Sequence, residues 1–161
     1  MIENAIRAAR LDVAFYNAAE NDKALTGQAA LLVAIVSLLG GIGTSFVVDH
    51  SFIKVMGYSL LTGLVGWVVW SFITDFVGRT AFKGDSDPGQ MLRVIGFAQA
   101  PLALSVVPVV GAFVGSIWAL VAGVVAIREG QDFTTGKAIG TVIIGWIAYL
   151  VLRTVVFAIF R

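Results

Sequence analysis

Charged residues are missing from long stretches of this sequence, and their absence constrains the fold more than any other feature. Residues 24–48, 55–74 and 94–127 contain no charge, and residues 138–160 contain only Arg153. Only 13% of the 161 residues are charged, whereas 58% are hydrophobic. Because a helix crosses the ~30 Å hydrocarbon core of a bilayer with about 20 apolar residues, these stretches predict membrane spans. The sequence therefore predicts an all-α, polytopic membrane helical bundle.

The longest uncharged stretch, residues 94–127, is predicted to form a hairpin of two helices. As a single α-helix it would be about 51 Å long, which is more than one crossing needs. Pro108 is expected to end the first helix, since proline lacks the N–H that the next turn requires, and Gly111 to open the second. The prediction is a domain of residues 24–161 with five spans, at about 28–48, 55–74, 92–107, 111–127 and 137–160.

Residues 1–23 are predicted to form an amphipathic helix that precedes the spans. Apolar residues recur every third or fourth position from Ile2 to Val13, and charged residues fill the other side. Such a helix either lies along the membrane surface or caps the cytosolic ends of the bundle, because both arrangements bury the same apolar stripe.

The distribution of positive charge predicts the orientation of the chain. Cytoplasmic loops of membrane proteins are enriched in Lys and Arg. Eight of the eleven Lys and Arg residues fall on the N-terminal side of the five-span arrangement: Arg7, Arg10, Lys23, Arg79, Lys83, Arg93, Arg128 and Lys137. The N-terminus is therefore expected in the cytosol and the C-terminus outside.

Three unusual residues lie within predicted spans. Pro101 is expected to kink the third span and to free the carbonyl group of Phe97. Gln99 could bond that carbonyl or another helix, or it could line a transport path. Arg153 is expected to extend its side chain to the headgroups, the alternative being a buried functional arginine.

Two further groups of residues are candidates for contacts. A stripe of small residues at four-residue spacing would let another helix approach closely: Gly111, Gly115, Ala119 and Gly123. A group of charged residues is expected on the cytosolic face, as a network of ion pairs or as a site for lipid headgroups: Asp75, Arg79, Arg93, Arg128, Glu129, Asp132 and Lys137.

The residue types argue against several classes of function. The sequence has no cysteine and a single histidine, His50, which excludes thiol chemistry and a site with several histidines in one chain. The net charge of +1 does not indicate nucleic-acid binding. No pattern of catalytic residues is recognisable, so we expect a protein that is not an enzyme and needs no cofactor.

Two segments resemble the Yip-domain family, the Ypt-interacting membrane proteins. They are "FKGDSDPGQMLRVIGFAQAPLAL" and "IWALVAGVVAIREGQDFTTGKAI". They share with that family a polar loop with glycine, an aromatic–Ala–X–Ala–Pro turn at 97–101, a hairpin, and a charged loop at 128–138. The resemblance implies five spans and a cytosolic N-terminus.

In eukaryotes that family associates with prenylated Rab GTPases, with itself and with vesicle-trafficking proteins. The present sequence has neither the long cytosolic N-terminal region nor the D-L-Y-G-P type motif of the eukaryotic members, so binding of Rab GTPases is not carried over. Its compact loops resemble prokaryotic members, which suggests a bacterial or archaeal cytoplasmic membrane.

Two hypotheses of function follow. The first is a scaffold or adaptor that binds membrane lipids, other membrane proteins or further copies of itself. The second is a small oligomeric channel or transporter with a path near Gln99.

Overall fold

The computed structural model describes the backbone of residues 1–159 and the side chains of residues 1–148 and of Val151. Arg153 lies outside the residues whose side chains are described. The elements are α1 (Ile2–Ala9), α2 (Val13–Asn21), α3 (Leu25–Ser45), α4 (Phe52–Phe82), α5 (Pro88–Ala98), the 3₁₀ helix η1 (Ala100–Val106), α6 (Val110–Gly130) and α7 (Thr135–Ile159). The described backbone contains no strand, so the predicted all-α class is confirmed.

Among the described residues, three helices are long and apolar enough to cross a membrane: α3, α4 and α6. In α7, the described apolar segment Thr135–Ala148 is shorter than that, and α5 and η1 are separate, shorter elements. The prediction of five spans is therefore confirmed only as a helical membrane bundle, because the third predicted span is not one continuous α-helix.

The N-terminal region contains two helices, so the prediction of one helix was wrong. Leu11 adopts a positive φ of 61°, which ends α1. The carboxylate of Asp12 then accepts a hydrogen bond from the backbone N–H of Phe15 at 3.1 Å and caps α2. The Nε of Arg7 donates to the same carboxylate at 2.7 Å across the break, and this bond lowers the pKa of Asp12.

Both N-terminal helices pack against the protein. The Phe15 ring lies 5.0 Å from the Phe97 ring of α5, in an edge-to-face arrangement. The indole Nε1 of Trp118 in α6 donates to the backbone carbonyl of Ala9 at 2.8 Å. The region therefore packs along the sides of α5 and α6. The choice between a helix on the membrane surface and one that caps the cytosolic ends of the bundle stays a prediction.

Helix α4 continues to Phe82, beyond the predicted end of the second span at about residue 74. It ends at Phe82, where Lys83 has the left-handed conformation of a C-terminal cap, with φ 58° and ψ 45°. Asp87 and Gln90 form a capping box and Pro88 occupies the first turn of α5. Only residues 83–87 separate the two helices.

Pro101 does not kink a continuous helix as predicted. Helix α5 ends at Ala98, and Pro101 lies in the first turn of η1, where its missing N–H costs no hydrogen bond. A 3₁₀ helix rises about 2.0 Å per residue against about 1.5 Å in an α-helix. Helices α5 and η1 together therefore extend about 30 Å, although the segment is short.

The hairpin turns where the sequence predicted it. The backbone of Val109 has φ 63° and ψ −72°, and the N–H of Val110 donates to the carbonyl of Pro108 at 2.8 Å. This is a γ-turn with a β-branched residue in its centre, a strained conformation.

Glycines hold η1 tightly between α3 and α6. A Cβ atom on Gly43 would overlap the carbonyl oxygen of Ser105, and one on Gly111 would overlap that of Leu104. A Cβ on Gly115 would lie 2.8 Å from the carbonyl oxygen of Pro101. The first half of the predicted stripe on α6 therefore packs inside the hairpin, as small residues permit.

The bundle has two ends with different chemistry. We call the end formed by residues 22–24, 83–87 and 131–134 the charged end. The end formed by residues 46–51 and 107–109 is the hairpin end.

Candidate functional site

A cavity of about 450 Å³ opens between α3, α4 and η1 at the hairpin end. We call it the polar cleft, because uncharged polar side chains line much of it: Ser37, Thr44, Ser59, Thr62, Gln99 and Ser105. Apolar residues such as Val36 and Leu102 line the rest. Polar groups at hydrocarbon depth are costly unless they are satisfied, so this cleft is the strongest candidate for a binding site.

The 3₁₀ geometry of η1 builds one wall of the polar cleft. With three residues per turn, side chains three apart lie above one another. Gln99, Leu102, Ser105 and Pro108 are spaced in this way, and all four line the cleft. In an α-helix the same four residues would drift around the helix surface, because three residues are less than one turn.

Gln99 faces this cleft and not the backbone. Its side chain is half-buried, and its amide has no hydrogen-bond partner among the residues that the structure describes. The amide therefore does not bond the carbonyl of Phe97, which was one of the contacts predicted for it. Both amide N–H bonds and the amide oxygen are available to an occupant of the cleft.

The hydroxyl groups of the cleft mostly donate to their own helices. Ser37 donates to the carbonyl of Val33 at 2.7 Å, and Thr62 donates to that of Tyr58 at 2.7 Å. Each hydroxyl oxygen keeps lone pairs that can accept a bond. The cleft thus offers several acceptors and one amide donor, without a formal charge on its wall.

A second set of polar residues lies at the charged end and joins three segments of the chain. The hydroxyl of Ser86 donates to Oδ1 of Asp75 at 2.7 Å. The amide nitrogen of Gln131 donates to the carbonyl of Thr74 at 3.1 Å and to Ser86 Oγ at 3.2 Å. We call Thr74, Asp75, Ser86 and Gln131 the polar junction. It fixes the loops 83–87 and 131–134 to α4.

Sequence reasoning identified Asp75 but missed Ser86 and Gln131. Neither residue carries a charge or belongs to a motif, and both lie in loops whose proximity is known only from the fold. Arg79, which was predicted in the same group, lies 3.8 Å from the Asp75 carboxylate, with its own side chain half exposed. The pair thus joins a half-exposed guanidinium to a buried carboxylate, which Ser86 already satisfies with a hydrogen bond.

Gly78 makes room for the amide of Gln131. A Cβ on Gly78 would overlap that amide, whose side chain is fully buried. We predict that Gly78→Ala expels the amide and costs about 2 kcal/mol, the value of two hydrogen bonds. Gln131→Ala should cost a similar amount, and the double variant should cost no more than either single one. Thermal unfolding of all four proteins tests this, and additive losses would contradict it.

The remaining charged residues do not form the predicted single cluster. Arg93 is buried and bonds backbone carbonyl groups of α2. Arg128 pairs with its neighbour Glu129. Lys137 donates to the carbonyl of Phe82 at 3.3 Å and lies over the ring of Phe133. Together with the Asp75–Arg79 pair, these are four separate sets of contacts among the described residues, and not one network of ion pairs. The alternative of a site for lipid headgroups stays a prediction.

The structure adds Glu20 to this region. Burial raises the pKa of Glu20, and the nearby carboxylates of Asp132 and Glu129 raise it further. The folded protein therefore binds the proton of Glu20 more tightly than the unfolded chain does. This residue stabilises the fold more when it is protonated, and that contribution is lost as the pH rises through its folded-state pKa.

We predict that Glu20→Gln raises the melting temperature at neutral pH, because it removes an unfavourable, partly buried charge. The gain should shrink at about pH 4, where Glu20 of the unsubstituted protein is largely protonated in both the folded and the unfolded state. Glu3→Gln, at an exposed position of α1, is the matched control and should show no such trend. An equal gain from Glu20→Gln at both pH values would contradict the prediction.

Comparison with known proteins agrees with this helical architecture. No curated protein and no solved structure matches the chain. The model of the Yip1 domain family matches residues 12–156, from the cap of α2 to the last turns of α7. The matched region contains the α5–η1–α6 hairpin, the polar cleft and the polar junction. The chain belongs to the Yip1 domain family.

Proposed function

We propose that this protein is a membrane scaffold without enzymatic activity, which binds a transmembrane helix of another membrane protein. The contact would be a groove of about 440 Å³ between α4, α6 and α7. Ala119 and Gly123 line its floor, and Trp70, Phe113 and Trp146 line its walls. We call this the helix groove.

The observation that carries the proposal is the open space above Gly123. A Cβ at Gly123 would meet no atom within 4 Å, whereas Gly111 and Gly115 in the same stripe are filled by η1. Gly111 and Gly115 thus pack against the protein's own hairpin. Gly123, in the other half of the stripe, has no packing partner among the described residues. Small residues four apart are the surface on which helices approach each other most closely in membranes.

The proposed topology has five crossings, with the N-terminus in the cytosol and the C-terminus outside, in a prokaryotic cytoplasmic membrane. Two observations support it. Helices α5 and η1 together extend about 30 Å, which is enough for one crossing. Helix α7 has 25 residues, which is also enough. The charged end and the helix turns next to it would then face the cytosol. Together they hold six of the eleven Lys and Arg residues: Lys23, Arg79, Lys83, Arg93, Arg128 and Lys137.

Site-specific photocrosslinking tests the helix groove. With a photoreactive amino acid at Leu120, which is exposed beside the groove, we expect a discrete adduct with a membrane protein. Gly123→Leu should fill the groove and lower the yield of this adduct about tenfold. Gly66→Leu is the matched control, because Gly66 also has open space but lies on α4.

Two outcomes would contradict the proposal of a helix partner. One is an adduct whose yield is the same in Gly123→Leu and Gly66→Leu. The other is labelling of lipid alone at Leu120. An adduct with a second copy of the chain would support the groove and identify the partner as the protein itself.

A second candidate function is transport of a small polar solute, and one observation favours it: the amide of Gln99 faces the polar cleft and has no hydrogen-bond partner among the described residues. Purified protein in liposomes would then increase solute efflux, and Gln99→Leu would reduce it. Efflux equal to that of protein-free liposomes would remove this candidate.

A further inference from the structure

A second cavity adjoins the polar cleft at the hairpin end and adds a lysine and a histidine to it. It has a volume of about 530 Å³ and is lined by His50 and Lys54. Thr44, Ser59 and Thr62 line both cavities and form their common wall. The two cavities therefore lie side by side, and we call them together the binding region, with two chemical zones.

The zones are arranged by depth. Lys54 lies in the first turn of α4, and Thr62 lies about 12 Å farther along the helix axis. The ammonium group is thus near the membrane surface, and the uncharged hydroxyl and amide groups are deeper. Asp49, which precedes His50 in residues 46–51, lines neither cavity. The formal charge of the region therefore comes from Lys54.

The mouth of the region is apolar. Val47 and Val109 line the cleft at its outer edge, and their side chains are 59% and 71% exposed. Phe46 beside them is 73% exposed. A water-soluble ligand would have to pass these residues, whereas a lipid would contact them with its acyl chains. An occupant with both polar and apolar parts fits this wall best.

We propose that this region binds the head group of an anionic glycerophospholipid from the membrane leaflet at the hairpin end. The phosphate would contact Lys54, with His50 beside it. The glycerol and ester oxygens would meet the Gln99 amide, and head-group hydroxyls would donate to Thr44 and Thr62. The acyl chains would lie on Val47 and Val109.

This site is separate from the helix groove of the proposed function. The lipid site is built by α3, α4 and η1, whereas the groove is built by α4, α6 and α7. Failure of either proposal therefore leaves the other intact. Crosslinking at Leu120 tests the groove alone, and the lipid experiment tests the cleft alone.

Photoreactive phosphatidylglycerol in phosphatidylcholine vesicles tests the lipid site with the full-length protein. With the reactive group near the lipid head, adducts should map to residues 36–62 and 99–109. Thr44→Val and Thr62→Val together keep the side-chain volume but remove two hydroxyl groups. The double variant should lower the yield of adducts about thirtyfold, at about 1 kcal/mol for each lost hydrogen bond.

Removal of the charge is the second arm of the experiment. Lys54→Gln should lower the adduct yield about fivefold, as expected for a charged contact at a membrane interface. Lys83→Gln is the matched control, because Lys83 is an exposed lysine at the opposite end of the bundle. Thr44, Lys54 and Thr62 are all exposed, so these variants should fold with unchanged melting temperatures.

The remaining arms identify the source of the phosphate group. Photoreactive phosphatidylcholine should label these segments more weakly than phosphatidylglycerol does. Equal labelling by the two lipids, together with no effect of Lys54→Gln, would overturn the proposal. Suppression of labelling by soluble glycerol phosphate would also overturn it, because the site would then take a water-soluble phosphate. Absence of adducts in both segments would show that the cleft holds only water.

Discussion

Gly43→Ala is expected to destabilise the protein by about 3 kcal/mol or more, enough to prevent accumulation of a marginally stable membrane protein. The added Cβ would overlap the backbone carbonyl oxygen of Ser105 in η1. A backbone group cannot rotate away as a side chain can, so α3 and the hairpin would have to separate. Loss of thermal stability in detergent is the measurement.

Gly27→Ala is the matched control on the same helix. A Cβ at Gly27 would have no atom within 4 Å, and alanine favours helix more than glycine does. We therefore expect unchanged or slightly higher stability. If Gly43→Ala melts at the same temperature as Gly27→Ala, the close packing of η1 on α3 is wrong, and with it the wall of the polar cleft.

Arg93→Met is expected to release α2 from the bundle. The Nε of Arg93 donates to the carbonyl groups of Ala19 and Glu20, both at 3.1 Å, at the C-terminal end of α2. These carbonyls have no helical partner, and a guanidinium group satisfies them with charge-assisted hydrogen bonds. Loss of about 3 kcal/mol would make hydrogen exchange in residues 13–21 about a hundredfold faster.

Arg79→Met separates this effect from a general loss of positive charge. Arg79 also lies near the charged end, but its side chain is half exposed and contacts Asp75 of its own helix α4 instead of α2. Its loss should change exchange in α2 by less than twofold, consistent with less than about 0.5 kcal/mol. Equal acceleration in both variants would mean that Arg93 does not hold α2.

The sequence was sufficient for the parts of the fold that depend on composition. Segregated charges predicted the apolar helices, and Pro108 predicted the position of the hairpin turn. The end of α4 was misjudged because charge marks the end of the hydrocarbon region, whereas a helix can continue beyond it. The spacing of Asp75 and Arg79 is compatible with such a continuation.

The candidate site was only partly predictable. Gln99 was identified because an amide is unusual in an apolar stretch, and the structure places it in a cleft. The hydroxyl groups opposite it gave no signal, because single serine and threonine residues are common in membrane helices and bond their own backbone. Ser86 and Gln131 were missed for a related reason: their partner groups come from segments distant in sequence, and one of them is a backbone carbonyl.

The 3₁₀ geometry of η1 limits how this segment can vary in length among related proteins. Adding or deleting one residue would turn every later side chain by about 120° around the axis. A hydroxyl that faces the cleft would then face hydrocarbon. A change of three residues would keep the polar face and move the turn by about 6 Å. We therefore expect length differences in η1 among its relatives to come in multiples of three.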